Sequence, residues 1–588
     1  MERAPPDRLL RVDLSAGTVE SEPIPGAWRR NYLGGKGLGA RYLYEELEPG
    51  VDPLSPENRL LFLLGPLSGA LPDGRYAAVT KSPLTGTFLD SYSGGRFPGA
   101  LCGSLGAHVG LLVQGRAEEP VRLALSGGTA RIEPADTWGE DAAETCEAHD
   151  GVVACIGPAG ENRVSYATIA SDRTEHHAGR GGAGAVMGAK RLKAVVAEDD
   201  PPEFGERLAA LRERDAEAFR GSDTGRWLAA SGTLETVDFA DEAGVLAARG
   251  WRERGFDGTG GVGIEAAREA ASGRETDGDG DRPGDFRVET PAGETVPRGA
   301  TAMTLGAGLG LDAFDAVAEL GERCNRLGVD LISAGNAVAW AIRAAEVGVI
   351  DRDIEFDDPE GARELLAEIA ARSTPLGDAL ADGVSVAADR LGGLELVPTV
   401  KDMALPSYDP RGAASMALAY ATSDRGACHR RARPVEREVF EDWGPAETAA
   451  AVVEAQDTRS VRWSLIADDF AGEVLAGHGI EWLDALGHPH DADLRRTGER
   501  IWNLVRLFNV REGFDRSDDT LPVGLEPDEG DALDPDAFEA ALECYYTARG
   551  WGADGRPSRE RLAALDLLAT VDDDTPVAET TLDPDTRP

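Results

Sequence analysis

The densest glycine run in the chain is Gly179-Arg180-Gly181-Gly182-Ala183-Gly184-Ala185-Val186-Met187-Gly188. Backbone of this kind lets a ligand come close. Its Gly182-x-Gly184-x-x-x-Gly188 spacing is loosely like a dinucleotide loop. Such a loop must open a helix and be followed, about twenty positions on, by an acidic residue. Here the run leads quickly into Lys193 to Glu198, which reads as a strand. Two readings stay open: a turn between strands, or a loop whose N–H groups meet some other phosphate, with Arg180 as a bidentate partner. Further tight turns follow one another at Gly65-Pro66-Leu67, at Thr80 to Gly86 and at Ser93-Gly94-Gly95, with Arg75 embedded. Each is explained by hairpin chemistry alone, or together they form a surface that meets an anionic ligand. His176-His177 and His488-Pro489-His490 offer imidazoles, yet neither pair has a cysteine or carboxylate at ligand spacing. Exposed loop histidines are the simpler reading. Cys428-His429 offers a thiol beside a base, but sequence neighbours rarely form that hydrogen bond. His429 alone as a proton donor or acceptor is the better assignment.

The elements that must position these residues change character along the chain. LLRVDLS, RLLFLLG, YAAVTKS, HVGLLVQG, VRLALSGG and KAVVAED are short apolar or alternating runs separated by Gly, Pro and Asp, the pattern of strands. One helix is predicted at Ala40 to Leu47, after the glycine cluster Gly34 to Gly37. From about Pro201 the period becomes helical, as in FGERLAALRERDAEAFR, AELGERCNRLG, ARELLAEIAARS and TGERIWNLVRLFNVREGF. The fold class is therefore α+β. A β-rich domain occupies residues 1–200, and mostly helical domains occupy 201–400 and 401–588. Ser272 to Glu294, rich in Gly and Asp, reads as a loop, and Thr570 to Pro588 as a frayed acidic tail. No repeat of fixed period is visible.

Composition narrows the function. Sixty basic and 105 acidic residues among 588 give a net charge of −45. That excludes a sequence-independent nucleic-acid binder and argues against docking on anionic lipid. Only Lys36, Lys81, Lys190, Lys193 and Lys401 are lysines. Acid excess over the whole chain with so little lysine predicts a salt-rich, halophilic cytosol that screens the self-repulsion. Met1 to Ser15 carries no apolar leader core, and the apolar stretch near Leu60 to Leu71 is broken by glycine and proline. A soluble, cytoplasmic protein is expected. Six scattered cysteines, none spaced CxxC, suggest a reduced compartment.

Taken together these strings resemble the aldehyde ferredoxin oxidoreductase family of tungsten–pterin enzymes. The similarity covers nearly the whole chain and rests on RVDLSAGTVE, DPLSPENRL, GPLSGALPDGRYAAVTKSPLTG, IGPAGEN, AGRGGAGAVMGAKRLKAV, LPSYDPRGA, YATSDRGACH and GERIWNLVRLFNVREGFDRSDDTLP. The resemblance implies a β domain that forms a base for two pterins, followed by two helical domains. It implies oxidation of a small aldehyde and water to a carboxylic acid at tungsten, or molybdenum, held by two pterin dithiolenes. Two electrons would pass through a [4Fe-4S] cluster to ferredoxin or another redox subunit, and a homodimer is implied. By position, Arg75 and Ser93-Gly94-Gly95 would lie near metal and pterin, while His177 and Gly179 to Gly182, with Arg180, would border the pterin phosphates and a bridging Mg²⁺. Asp330 and Asp469 would accept hydrogen bonds from pterin amino groups, and His429 would handle the substrate proton.

The chain departs from that pattern at several places. The four cluster cysteines fall on Glu275, Gly278, Arg282 and Val474, and no cysteine lies between Cys155 and Cys324. A [4Fe-4S] cluster takes four thiolates, so none of the family type is expected. The family's active-site glutamate falls on Ala300, its Mg²⁺-binding asparagine on Tyr92, and its Glu-x-x-His metal motif reads Glu319-Leu320-Gly321-Glu322. Three readings follow: a cluster-free oxidoreductase, a catalytically degenerate pterin-binding or assembly subunit, and a pterin or metal store.

Overall fold

The structure, a computed structural model, describes residues 5–71, 74–275, 284–525 and 533–582. Its first two hundred residues form two six-stranded sheets. The first holds β1 (Arg8–Asp13), β2 (Thr18–Pro23), β3 (Leu60–Leu63), β4 (Tyr76–Lys81), β5 (Phe88–Ser93) and β6 (His108–Gln114), in the order β2-β1-β6-β3-β4-β5. The second holds β7 (Val121–Ser126), β8 (Thr129–Pro134), β9 (Val152–Cys155), β10 (Ile169–Ser171), β11 (His176–Ala178) and β12 (Leu192–Ala197), in the order β11-β10-β9-β12-β7-β8. β1 runs parallel to β6 and β7 parallel to β12; the other neighbours are antiparallel. All six runs read as strands from the sequence are strands. β3, β4 and β5 are buried along their whole length, so both faces of that half of the sheet are covered.

Helices take over after residue 200, as the change of period predicts. Glu206–Gly221, Phe314–Leu327 and Pro359–Ala371 follow the three periodic runs, and Leu494–Arg511 carries the C-terminal one. Leu331–Glu346 starts at Asp330, whose carboxylate accepts the Ser333 N–H. Pro445–Leu465 packs against Leu494–Arg511 and Pro535–Arg549. A shared apolar cluster joins the two halves of the chain: Leu61, Val79 and Phe88 from the first sheet meet Trp463, Ile501 and Phe508 from the helices. No helix among the described residues is long and apolar enough to cross a membrane.

Four local expectations are corrected. The early helix is Gly35–Glu46, so part of the glycine cluster lies inside it. A Cβ at Gly37 would collide with the Tyr32 carbonyl; these glycines let the helix sit against its neighbours. The glycine run after β11 does open a short helix, Ala183–Ala189. It still makes no dinucleotide fold, because β11 and β12 are antiparallel and separated by two strands. The polar stretch read as a loop instead pairs Ala271–Arg274, Phe286–Thr290 and Gly293–Thr295 into a small sheet, anchored by buried Phe286 and Val288; Gly278 and Arg282 lie outside the described residues. The tail is packed as far as it is described. Thr575 shares a 2.7 Å hydrogen bond with the Tyr44 hydroxyl, and Leu582 N–H donates to Trp551 at 2.8 Å.

The lysines show a pattern that counting alone hides. The side chains of Lys36, Lys81, Lys193 and Lys401 are at most 6 % exposed and each meets a carboxylate. Lys190, also buried, donates to the carbonyls of Pro56, Asn58 and Gly115. Among the described residues the surface therefore carries its side-chain positive charge on arginine rather than lysine.

Candidate functional site

Between the sheets and the helices lies a cavity of about 970 Å³. That is the upper end of the range for ligand pockets, roughly 300–1,000 Å³. Of the residues singled out from the sequence, Arg75, Ser93, Gly94, Gly95, His177, Gly179, Arg180, Asp330, His429 and Asp469 line it. They come from segments almost four hundred residues apart, brought together because the two halves share one core.

The wall built from the sheets is made of tight turns. Arg75 is aimed by Asp468, whose Oδ2 accepts its Nε at 2.8 Å. Ser93 shares a 3.1 Å hydrogen bond with Ser171. Gly95 has φ +78°, and a Cβ there would collide with the Asp172 carboxylate, which in turn accepts the Arg96 N–H at 2.7 Å. At Gly179 a Cβ would come within 3.2 Å of Asp330 Oδ1, so glycine leaves that carboxylate oxygen open to the cavity. Asp330 Oδ2 is committed to the helix cap at 2.8 Å.

Three residues of the glycine run do other work than the sequence suggests. Arg180 is buried, and its Nη2 donates to the carbonyls of Ala404 at 2.7 Å and Ala427 at 2.5 Å. Its guanidinium ties the helical segments to the sheet and makes no free bidentate fork. Gly181 and Gly182 lie off the cavity wall. A Cβ at Gly181 would come within 2.7 Å of Leu89, and one at Gly182 would strike the Ser165 carbonyl. They are packing glycines.

The two histidines assigned from the sequence differ. Both ring nitrogens of His177 are taken: Nε2 donates to the Thr174 carbonyl at 3.0 Å and Nδ1 accepts from Thr168 Oγ1 at 2.8 Å. Burial holds its pKa down to about 4. It braces β11. His429 sits at the cavity with its ring centroid 5.6 Å from that of Tyr408. Burial first, then the charges of Arg433 and Arg430, holds it well below the ordinary imidazole value, so it is neutral near pH 7. Among the described residues no group hydrogen-bonds its ring nitrogens. Cys428 does not pair with it. The thiol faces Arg425, whose Nη2 lies 3.0 Å from Sγ. Burial raises its pKa, but Arg425, Arg431 and Arg180 outweigh that and bring it to about 7.

Buried charge supports this wall. Asp469 accepts from Arg430 Nη2 at 2.6 Å and from Trp463 Nε1 at 2.6 Å, so both oxygens are engaged. The arginines overcome burial and keep it well below the carboxylate range. Behind it Lys36, Arg431, Asp90 and Asp424 form a four-charge cluster with side chains at most 4 % exposed. Tyr92, where the resemblance places a Mg²⁺ ligand, donates its hydroxyl to Asp90 and stacks on Trp463. Glu275, aligned with the first cluster cysteine, accepts from Arg298 at 2.7 Å and lies 3.1 Å from His176 Nε2. Ala300 lines the cavity, Val474 lies in a short turn of helix, and Glu322 is buried on Phe314–Leu327. Sequence reasoning passed over Tyr408, Phe470, Arg430 and Arg433. The available signal was RGACHRRAR, with four arginines in nine residues of an acidic chain.

Comparison with known proteins finds one family along nearly the whole chain. A family model described as aldehyde ferredoxin oxidoreductase, N-terminal domain, matches residues 9–199, and one described as domains 2 and 3 of the same enzyme matches 210–567. The tungsten-containing aldehyde ferredoxin oxidoreductase of Pyrococcus abyssi is 32 % identical over 95 % of this chain and 98 % of its own. That of Pyrococcus furiosus is 33 % identical over the same shares. The active site complex BamBC of benzoyl coenzyme A reductase, solved with 1,5-dienoyl-CoA, superposes with a TM-score of 0.83 over 97 % of this chain and 98 % of that one, at 24 % identity. That last likeness speaks for the fold.

Proposed function

Given that the chain belongs to the aldehyde ferredoxin oxidoreductase family, we propose that it oxidises an aldehyde and water to a carboxylic acid at a tungsten–bis-pterin centre in this cavity. The observation that carries the reading is His429, a neutral imidazole whose nitrogens meet no hydrogen-bonding group among the described residues, in the wall of a cavity whose other wall is glycine turns. The donor set fits the cofactor: Arg75, Ser93 to Gly95 and Gly179 would hold pterin and phosphate, and the open Oδ1 of Asp330 would accept from a pterin amino group. When bound, the group supplies two-electron redox chemistry. The chain's own part is to orient the aldehyde, exclude bulk water and move a proton. His429 accepts the proton lost as water adds to the carbonyl carbon. It is poised for this because it is uncharged at neutral pH. Ala300 leaves no second acid or base at the place where the family has one.

The [4Fe-4S] cluster does not fit. No cysteine stands at its four positions, and Glu275 is held by Arg298 and His176. We assign no electron step to a cluster and place the acceptor outside this chain, as ferredoxin or a separate redox subunit. A salt-rich cytoplasm as the working medium is supported by the lysine-free surface. The missing cluster ligands and Ala300 favour a second reading, a degenerate pterin-binding subunit. Metal and pterin analysis of protein made in a host that supplies the cofactor, purified in high salt, decides. About one tungsten per chain with almost no iron, and dye-linked aldehyde oxidation, are expected. Absence of tungsten, molybdenum and pterin from folded protein would overturn the enzyme reading.

A further inference from the structure

Two of the six cysteines meet. Cys146 stands in the helix Ala142–Glu147 and Cys155 ends β9; nine places apart in the chain, their sulfurs lie 3.6 Å apart. They pack in a small apolar cluster with Ala142, Val153 and Ala170. The contact is directional. The Cys155 thiol faces Cys146 Sγ and the Ala142 carbonyl, the latter at 3.4 Å. Cys146 Sγ also accepts the Arg173 N–H. Two donors aimed at one sulfur favour its thiolate. The Cys155 bond holds Cys146 below the ordinary thiol value, and the same bond, with burial, pushes Cys155 well above it. Exposure divides them in the same way, since Cys146 keeps 9 % of its surface and Cys155 none. A reachable thiolate with a second thiol behind it is the arrangement of a redox pair. Joining the sulfurs at about 2.05 Å takes a closure of roughly 1.5 Å.

The pair lies directly behind the cavity wall. Cys155 pairs with Ala170 of β10, which runs into the turn Asp172–Thr174. Asp172, Arg173 and Thr174 have φ of +52°, +54° and +76°, three left-handed residues in succession without a glycine. Such backbone persists only where its surroundings hold it. Here the Asp172 carboxylate accepts the Arg96 N–H at 2.7 Å, and the Arg173 N–H is held by Cys146. Asp172, Glu175 and His176 line the cavity.

We propose that Cys146 and Cys155 are a redox-active dithiol that closes reversibly to a disulfide and, in closing, loosens the strained turn in the cavity wall. The oxidant is another disulfide, small or carried by a protein. The Cys146 thiolate attacks one of its sulfurs and expels the other as a thiolate. Cys155 then attacks the Cys146 sulfur, the mixed disulfide breaks, and the second thiolate leaves. The protons of the two cysteines end on the two expelled thiolates, and two electrons pass from the pair to the incoming disulfide. A disulfide sulfur carries no charge and accepts more weakly than a thiolate, so the Arg173 N–H loses its hold. Reduction restores it, and where thiols are kept reduced the disulfide is transient.

The test adds 4,4′-dithiodipyridine, a small neutral disulfide, to the folded full-length protein in high salt and quenches with acid. The tryptic peptide 132–163 holds both cysteines and no other. It should return two hydrogens lighter and free of probe. Cys155→Ser should keep the probe on Cys146 as a stable mixed disulfide. Cys146→Ser should slow the reaction of Cys155 at least about tenfold, because the intramolecular route is gone. In the disulfide form, hydrogen exchange over residues 170–178 should quicken at least about tenfold and return to its starting rate with dithiothreitol. Both thiols left unreacted, or each carrying its own probe, overturns the proposal. So does a Cys155 that reacts as fast without Cys146 as with it. A disulfide that leaves exchange over 170–178 unchanged overturns the link to the cavity wall. These readouts need no turnover, so the aldehyde reading above can fail without touching them.

Discussion

Replacing Lys36 by Met removes one of the two positive charges in the cluster behind the cavity. Lys36 Nζ lies 3.3 Å from Asp90 Oδ2 and also contacts Asp424, and Arg431 Nε meets Asp424 Oδ1 at 2.7 Å. At an effective dielectric constant of about 20, a unit pair at that separation attracts by roughly 5 kcal/mol before desolvation is subtracted. Met fills nearly the same volume, so little cavity term is added. The variant leaves two buried carboxylates sharing Arg431, and breaking a buried pair from one side costs about 3–5 kcal/mol. Asp424→Asn should cost a similar amount, because it strands a cation. The double variant leaves Arg431 and Asp90 as a balanced pair and should cost no more than the worse single change, a coupling of about 3 kcal/mol. The assay is the first urea-unfolding transition, followed by tryptophan fluorescence, with Trp463 as a local reporter 5.8 Å from Nζ. It should be run at about 0.5 M and about 3 M KCl, where exposed pairs are screened and buried ones are not. Single changes that add within about 0.5 kcal/mol, or losses that shrink with salt, would refute a buried and mutually dependent cluster.

Two titrations extend the argument. Burial pushes Glu322 up to about 7, so the folded protein holds a proton that the unfolded chain releases near 4.5. Its presence therefore costs stability increasingly from about pH 4.5 to 7 and fully above, roughly 3 kcal/mol. Glu322→Gln should raise the denaturation midpoint at about pH 8 and leave it unchanged at about pH 4; an equal gain at both would show that protonation is not the cause. Alkylation of Cys428 by iodoacetamide, read by peptide mass spectrometry, should be half-maximal near pH 7, the value the thiol has among its arginines. Arg425→Gln should move that midpoint upward, and a midpoint near the ordinary thiol value of about 8.5 in the unaltered protein would be inconsistent with the Arg425 contact.

Much of the fold was legible from the chain. Alternating and continuous apolar runs marked β1, β3, β4, β6, β7 and β12, and the change to a 3.6-residue period near Pro201 marked where helices begin. The strands that were missed, such as β5 with Asp90 and Ser91 inside it and β11 with two histidines, are polar in sequence. They are strands because their partners neutralise what they carry. The small sheet around Phe286 was hidden for the same reason, since its glycine and aspartate neighbours read as loop.

Local pattern, which depends only on residues a few places apart, marked most of the elements and carried the family resemblance. Which side chains are free was decided by the tertiary structure alone. His177 and His429 are equivalent as residue types, yet one has both nitrogens filled by Thr168 and Thr174 and the other has neither filled among the described residues. Arg180 was the expected anion fork, but two carbonyls from residues 404 and 427 consume it. Five lysines could have lain anywhere, and the side chains of all five are buried. Hydrogen-bond satisfaction is set by atoms that meet only after folding, hundreds of residues apart, and no spacing rule in the chain encodes it.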